Sequence, residues 1–214
     1  MDLLYHAIMF ESVLTPKFCD TVIKYGRSQQ DQLARTGTFE DINRKKNISV
    51  KDLKKLKKIR NSNIVWMDDA WIYKEIHHYV REANKKGKWN FDWTRSEPCQ
   101  FTKYNINQHY DWHMDMFKHG HPKSNKHENP NLNGTARKLS VTCSLSDPKD
   151  YVGGQLDIHF NHPLKKKKDN IISFDKVKKG SIIVFPSFVW HRVQPVTSGT
   201  RYSLVMWNTG GPFK

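Results

Sequence analysis

The residues best suited to chemistry in this 214-residue chain are His113-Met114-Asp115, at the end of the run Tyr104-Asn-Ile-Asn-Gln-His-Tyr-Asp-Trp-His-Met-Asp115. On a β-strand, residues two apart share a face. His113 and Asp115 are therefore expected to offer an imidazole nitrogen and a carboxylate oxygen to one point. Two ligands make a weak site, and a distant strand is expected to supply the third through His191, in Phe185-Pro-Ser-Phe-Val-Trp-His-Arg-Val. Two histidines and a carboxylate on one side of a metal leave its other side open, an arrangement suited to non-haem Fe(II) and oxygen chemistry. A His-x-Asp triplet alone carries little weight in a chain with 11 histidines. The rival pair His119-Gly-His121 has no carboxylate at a fixed offset, and His159 and His162 lack a ligand spacing.

The triplet gains weight from Arg201, ten residues after His191 in the alternating run Thr200-Arg-Tyr-Ser-Leu-Val-Met-Trp207. An arginine on the inward face of a strand is costly unless it meets an anion, and its planar fork matches a carboxylate. Ser203 shares its strand face. A metal triad with a buried arginine at this spacing is the pattern expected for 2-oxoglutarate bound to iron.

These segments resemble the Fe(II)/2-oxoglutarate-dependent dioxygenases of the prolyl 4-hydroxylase type. The resemblance rests on Tyr104 to Asp115, Arg137-Lys-Leu-Ser, Ser146-Asp-Pro with Gly153-Gly154, Gly180 to Pro186, and His191 to Trp207. It implies iron held by His113, Asp115 and His191, with 2-oxoglutarate and O2 as cosubstrates and ascorbate as a reductant. It also implies a cosubstrate pocket formed by Arg201, Tyr104 and Ser203, and a substrate groove lined by Trp66, Tyr110, Arg137 and Trp207. The activity implied is hydroxylation of prolyl residues in a protein or peptide, with release of succinate and CO2. The alternatives are the same chemistry on another amino acid or on nucleic acid, and a metal-binding jelly-roll protein without turnover. Many relatives have Tyr-x-x-Gly ahead of the metal pair where this chain has Tyr104-Asn-Ile-Asn107. Asparagine tolerates left-handed backbone, so the turn is expected to survive.

The elements that must position these residues follow from the pattern of the chain. After residue 99, short alternating strands and turns, with few helical stretches, imply a double-sheet jelly roll. The helices precede it and are expected to pack on one sheet, making the chain mainly β with N-terminal helices. We expect a single domain over 1–214, with helical support and a substrate lid in 1–98 and the catalytic jelly roll in 99–214. Residues 7–13 are expected to be extended. One helix should start at Thr15-Pro16 and end at Gly26. A short basic one should carry Leu53, Leu56 and Ile59, and another should begin at Asp68-Asp69 with a buried stripe from Trp71 to Ala83. Trp89, Phe91 and Trp93 alternate as a strand would, and Gln29 to Arg60 is assigned to the lid by the resemblance.

The 7 Trp, 8 Tyr and 11 Phe argue against disorder despite a mean hydropathy of −0.77. No apolar run is long enough to cross a bilayer, the N-terminus does not read as a signal peptide, and the 3 cysteines are widely spaced. A cytoplasmic location without membrane attachment is expected; the oligomeric state is not encoded. The net charge of +15 is concentrated in 44–60 and 165–168. It fits a solvated basic face or a substrate with acidic flanks better than a nucleic-acid partner, because these runs lack interleaved aromatics.

Overall fold

In a computed structural model of the chain, residues 5–34, 49–117, 132–159 and 170–213 are described. His119, His121, His162, the basic run 165–168 and residues 35–48 of the expected lid lie outside them.

Strand β1 (Ile8–Phe10) leads to α1 (Pro16–Ser28), then β2 (Gln32–Leu33), α2 (Val50–Ile59), β3 (Arg60–Asn61), β4 (Asn63–Met67) and α3 (Ala70–Lys86). Next come β5 (Arg95–Ser96), β6 (Cys99–Tyr104), β7 (His109–His113), β8 (Ala136–Ser144), β9 (Tyr151–Gly153) and β10 (Leu156–His159). The last five are β11 (Ile171–Phe174), β12 (Ile182–Pro186), β13 (Trp190–Val193), β14 (Val196–Gly199) and β15 (Arg201–Gly210). The larger sheet runs β1-β12-β8-β15-β6-β4-β2, with β5 added beside β15. A smaller sheet runs β11-β10-β13-β7-β3, and β14 pairs with β9. The pairing is antiparallel, and this is the expected double-sheet jelly roll with helices at its N-terminal side.

Alternation along β15 divides the protein into two cores. Tyr202, Leu204 and Met206 face the helices, joining Val22, Ile72, Ile76, Val80, Leu139, Val141 and Cys143 in the larger cluster. The smaller cluster contains Tyr104, Ile183 and Phe185 of the large sheet with Leu156, Ile158 and Val193 of the small one. It lies between the sheets. A strand covered on both faces reads as continuously apolar or small, as β12 does with all five residues buried.

Several local expectations are corrected. Gly26 does not end α1; it is buried in the last turn, where a Cβ would lie 2.5 Å from the Phe101 ring. Glycine there permits contact between helix and sheet. Trp89 to Trp93 is not a strand. Lys88 and Asn90 have φ of 52° and 51°, the Asn84 side chain holds both backbone groups of Phe91, and the Trp89 indole donates to the Tyr5 carbonyl. Trp71 is 38% exposed, at the rim of α3 against Phe18, rather than in the buried stripe. The turn before β7 forms as expected, with Asn107 at φ 64° and its N–H donating to the Val196 carbonyl.

Candidate metal and cosubstrate site

His113 and His191 are cross-strand partners on β7 and β13. Their Nε2 atoms lie 3.7 and 3.4 Å from the two carboxylate oxygens of Asp115, and the three ligand atoms are all within 4.8 Å of one another. Each histidine makes the same supporting contact: Nδ1 meets the carbonyl oxygen two residues earlier, Asp111 at 2.7 Å and Val189 at 3.0 Å. A carbonyl can only accept, so both Nδ1 atoms carry the proton and both Nε2 lone pairs face inward.

Asp115 arrives by a different route from the one the spacing suggested. β7 stops at His113, and the next residues turn. The turn is fixed because the N–H groups of Asp115 and Met116 both donate to the Ser187 carbonyl, at 3.0 and 2.9 Å. The Asp115 carbonyl in turn accepts from Arg137 Nη1 at 3.2 Å. The two side chains do meet, but a turn anchored to the β12–β13 loop, and not strand alternation, aims the carboxylate.

The electrostatics suit a divalent cation. Burial and the neighbouring His191 push the His113 pKa well below 6.5, keeping the ring neutral. Burial tends to raise Asp115, but His191, His113 and Arg137 override it and hold the carboxyl at about 2. The Trp207 indole is close enough to contribute to that lowering, yet falls short of a hydrogen bond: its buried Nε1 has no partner among the described residues. The donor set fits Fe(II). Ligand atoms about 2.1 Å from a metal at right angles stand about 3.0 Å apart, so the observed spacing requires a closure of under 1 Å for the pairs at 3.4 and 3.7 Å.

Arg137 was expected at the substrate groove. Its Nε and Nη2 donate to the two Glu97 oxygens at 2.6 and 2.5 Å, and its guanidinium is stacked between Trp207 and Phe117 at 4.0 and 4.6 Å. Glu97 and Ser187 were missed by the sequence reading. Neither belongs to a motif; each is defined by what it meets from 40 or more residues away.

Arg201 lies on the inner face of the large sheet, 7% exposed, paired in register with Tyr104, with Nη1 donating to Ser203 Oγ at 3.3 Å and Cζ 5.5 Å from the Tyr104 ring. The expected trio is thus together. A pocket beside it is walled by Thr142, Ser144, Gly154, Leu156 and Ile183. Gly154 has φ +66°, and a Cβ there would stand 2.9 Å from Arg201 Cδ; glycine brings the backbone onto the arginine side chain. Register places Gln100, Thr102, Ser140, Thr142, Ser144 and Ser203 on this same inner face. A sheet face of small hydroxyl and amide groups can bind a hydrophilic guest, and its contribution was not recognised in the sequence because those residues are ordinary one by one.

Trp66 and Trp207 continue that face toward the metal turn, with ring centroids 6.0 Å apart. Trp66 is 45% exposed and Trp207 5%. Tyr110 has both ring faces covered, by His113 with centroids 3.4 Å apart and by the Arg60 guanidinium 4.4 Å from its centroid.

Comparison with known proteins agrees with this geometry. Residues 99–209 match the model of the 2OG-Fe(II) oxygenase superfamily. A PKHD-type hydroxylase of Xylella fastidiosa (strain M12) is 29% identical over 151 residues, 68% of this chain and 60% of that protein. One from Pseudoalteromonas atlantica is 34% identical over 110 residues, 51% of this chain and 42% of its own length. The chain thus spans about half the length of such relatives. Among solved structures, a viral collagen prolyl hydroxylase from Paramecium bursaria Chlorella virus-1 superposes with a TM-score of 0.62 at 19% identity, covering 97% of both chains. A Pseudomonas putida prolyl-4-hydroxylase gives 0.61 at 19% identity, covering 96% of this chain and 92% of that one. With a family model matched over more than half of the chain, and a His-Asp-His cluster that could hold a metal ion, this chain belongs to the 2OG-Fe(II) oxygenase superfamily.

Proposed function

We propose that this protein hydroxylates prolyl residues of a polypeptide, using Fe(II), 2-oxoglutarate and O2, and releasing succinate and CO2. The observation that carries the reading is the half-exposed Trp66 indole, which packs on the buried Trp207 that Arg137 links to the turn presenting Asp115. A pyrrolidine ring is a compact apolar group that packs well on an indole face, and Trp66 offers one. Support from outside comes from a Trichoplax adhaerens prolyl hydroxylase in complex with a hypoxia inducible factor peptide fragment, which shares this fold with a TM-score of 0.59 at 18% identity.

His113, Asp115 and His191 would hold the iron through Nε2, carboxylate and Nε2. Bound there with the cosubstrate and O2, iron supplies the oxidising power for C–H hydroxylation. The chain's own contribution is placement. Arg201, with Tyr104 and Ser203, would grip the far carboxylate of 2-oxoglutarate in a sheltered pocket, where a charge-assisted hydrogen bond is strong. Trp66 and Trp207 would hold the target carbon beside the metal. Tyr110 retains only its edge and hydroxyl for the substrate. Arg137, held by Glu97, would act chiefly by fixing the Asp115 turn and the plane of Trp207.

The test is mass spectrometry of a peptide library after incubation with Fe(II) and 2-oxoglutarate, coupled to a succinate assay. A gain of one oxygen on proline, with matching succinate, is the expected result. Succinate release driven by proline-free peptides or by oligonucleotides would redirect the assignment, and no release with any class would indicate a binding protein.

A further inference from the structure

Arg60, at the end of the expected lid, follows α2 directly and is 5% exposed. A buried guanidinium is expensive unless its donors are met. Nε donates to Ser62 Oγ at 3.0 Å and Nη2 to Gln100 Oε1 at 2.5 Å, which ties the edge strand of the small sheet to the inner face of the large one. Its Cζ lies over the Tyr110 ring, 4.4 Å from the centroid, and that ring lies flat on the His113 imidazole with an interplanar angle of 12°. Arg60, Tyr110 and His113 form one column that ends at a metal ligand.

The backbone is shaped to make the column. Tyr110 and His113 are three apart and would face opposite ways on a regular strand. Between the pairs His191↔His113 and Val193↔Tyr110, β7 advances three residues while β13 advances two. This bulge turns both rings to the inner face, as such irregularities beside active sites commonly do. Among the described residues His191 has no such stack, since Phe185 meets it edge-on at 60°.

We propose that Arg60, acting through Tyr110, is a positioning residue for the metal centre, fixing the plane of His113 so that Nε2 is presented to the ion. The Nδ1 hydrogen bond to Asp111 alone leaves the ring a broad torsional range. A face-to-face stack of two electron-rich rings is the unfavourable aromatic geometry. A metal at Nε2 draws electron density from the imidazole, so the face of Tyr110 stacks better on the loaded ligand than on the empty one, and Arg60 holds that face in place. The column is therefore better matched to the loaded site than to the empty one, and only such a difference can raise affinity.

Anaerobic titration with Co(II), followed by its visible band, tests this without substrate or turnover, so a wrong peptide assignment would leave the outcome unaffected. Arg60→Lys keeps the charge but loses the planar fork; Tyr110→Leu removes the ring; Tyr110→Phe keeps it. The expected result is roughly tenfold weaker Co(II) binding and an altered band for Arg60→Lys and Tyr110→Leu, in the range for outer contacts of metal ligands, with Tyr110→Phe within about twofold of the parent. Combining Arg60→Lys with Tyr110→Leu should add little, because both break one column. Wild-type affinity and band in Arg60→Lys would overturn the proposal. If that variant fails to fold, equal affinities in Tyr110→Leu and Tyr110→Phe would overturn it instead.

Discussion

His113 and His191 face each other across β7 and β13, and each has its Nδ1 proton tied to the carbonyl two residues before it. The two ligands are thus preset in the same tautomer by their own strands, before any metal arrives. His113→Ala should weaken Fe(II) or Co(II) binding by more than about 100-fold and abolish turnover, since losing a ligand costs more than losing an outer contact. An anaerobic metal titration checks this, and full affinity in the variant would remove His113 from the site.

Arg201→Ala should act on the cosubstrate instead. Removing one partner of a buried, hydrogen-bonded charge pair costs about 2–5 kcal/mol, so the 2-oxoglutarate requirement should rise by at least about 30-fold. Co(II) affinity measured without cosubstrate should change little. The readout is the charge-transfer band of the anaerobic Fe(II)–2-oxoglutarate complex, titrated in both proteins.

Gly154→Ala should produce a milder form of the same defect. The backbone there is at φ +66°, and the added methyl would press on Arg201 Cδ. Left-handed strain costs about 1–3 kcal/mol. The expected variant has a lower Tm and a raised KM for 2-oxoglutarate; an unchanged KM would show that the arginine is seated by other contacts.

Glu97→Ala would leave Arg137 buried without its carboxylate. The side chains of this pair are 6% and 12% exposed, and breaking a buried pair typically costs about 3–5 kcal/mol. Urea unfolding should show that loss. Because Arg137 also supports the Asp115 carbonyl, metal affinity should fall as well, whereas loss of stability alone would separate Arg137 from the site.

The metal-free protein should lose stability as pH falls from about 7 toward 5. His113 has a folded-state pKa well below 6.5 because of burial and His191. Below that ordinary value the unfolded chain takes up a proton that the folded one refuses, favouring unfolding until the folded pKa is reached. One such group contributes up to about 1.4 kcal/mol per pH unit. His113→Gln should flatten the slope in thermal melts across this range, and an identical slope would place the titration elsewhere.

The meeting of His113 with His191 and the buried place of Arg201 were legible in the sequence because such residues are rare on strands, whereas Asp115 joins them through a turn. Asn107 was legible because few side chains accept φ near +60°. The aromatics from Trp89 to Trp93 misled because they alternate as on a strand, whereas left-handed Lys88 and Asn90 and the Asn84 side chain turn the chain there. Arg60, Glu97, Ser187 and the hydroxyl-bearing sheet face stayed hidden for a common reason. Their roles come from partners brought near by pairing between strands distant in the chain, and the β7 bulge that stacks Tyr110 on His113 breaks the very periodicity used to read strands.

The face bearing Gln100, Thr102, Ser140, Thr142, Ser144 and Ser203 has a consequence for how the barrel behaves through its cycle. Most of these alcohols and amides are bonded within the protein, but Thr142 and Ser144 also wall the pocket beside Arg201, so that part of the sandwich should hold water until a dicarboxylic acid replaces it. The small molecule then serves as the missing piece of the interior, and the strands around it should exchange their amide hydrogens more slowly. Each round of catalysis would consume that piece, so the barrel would loosen and tighten once per turnover.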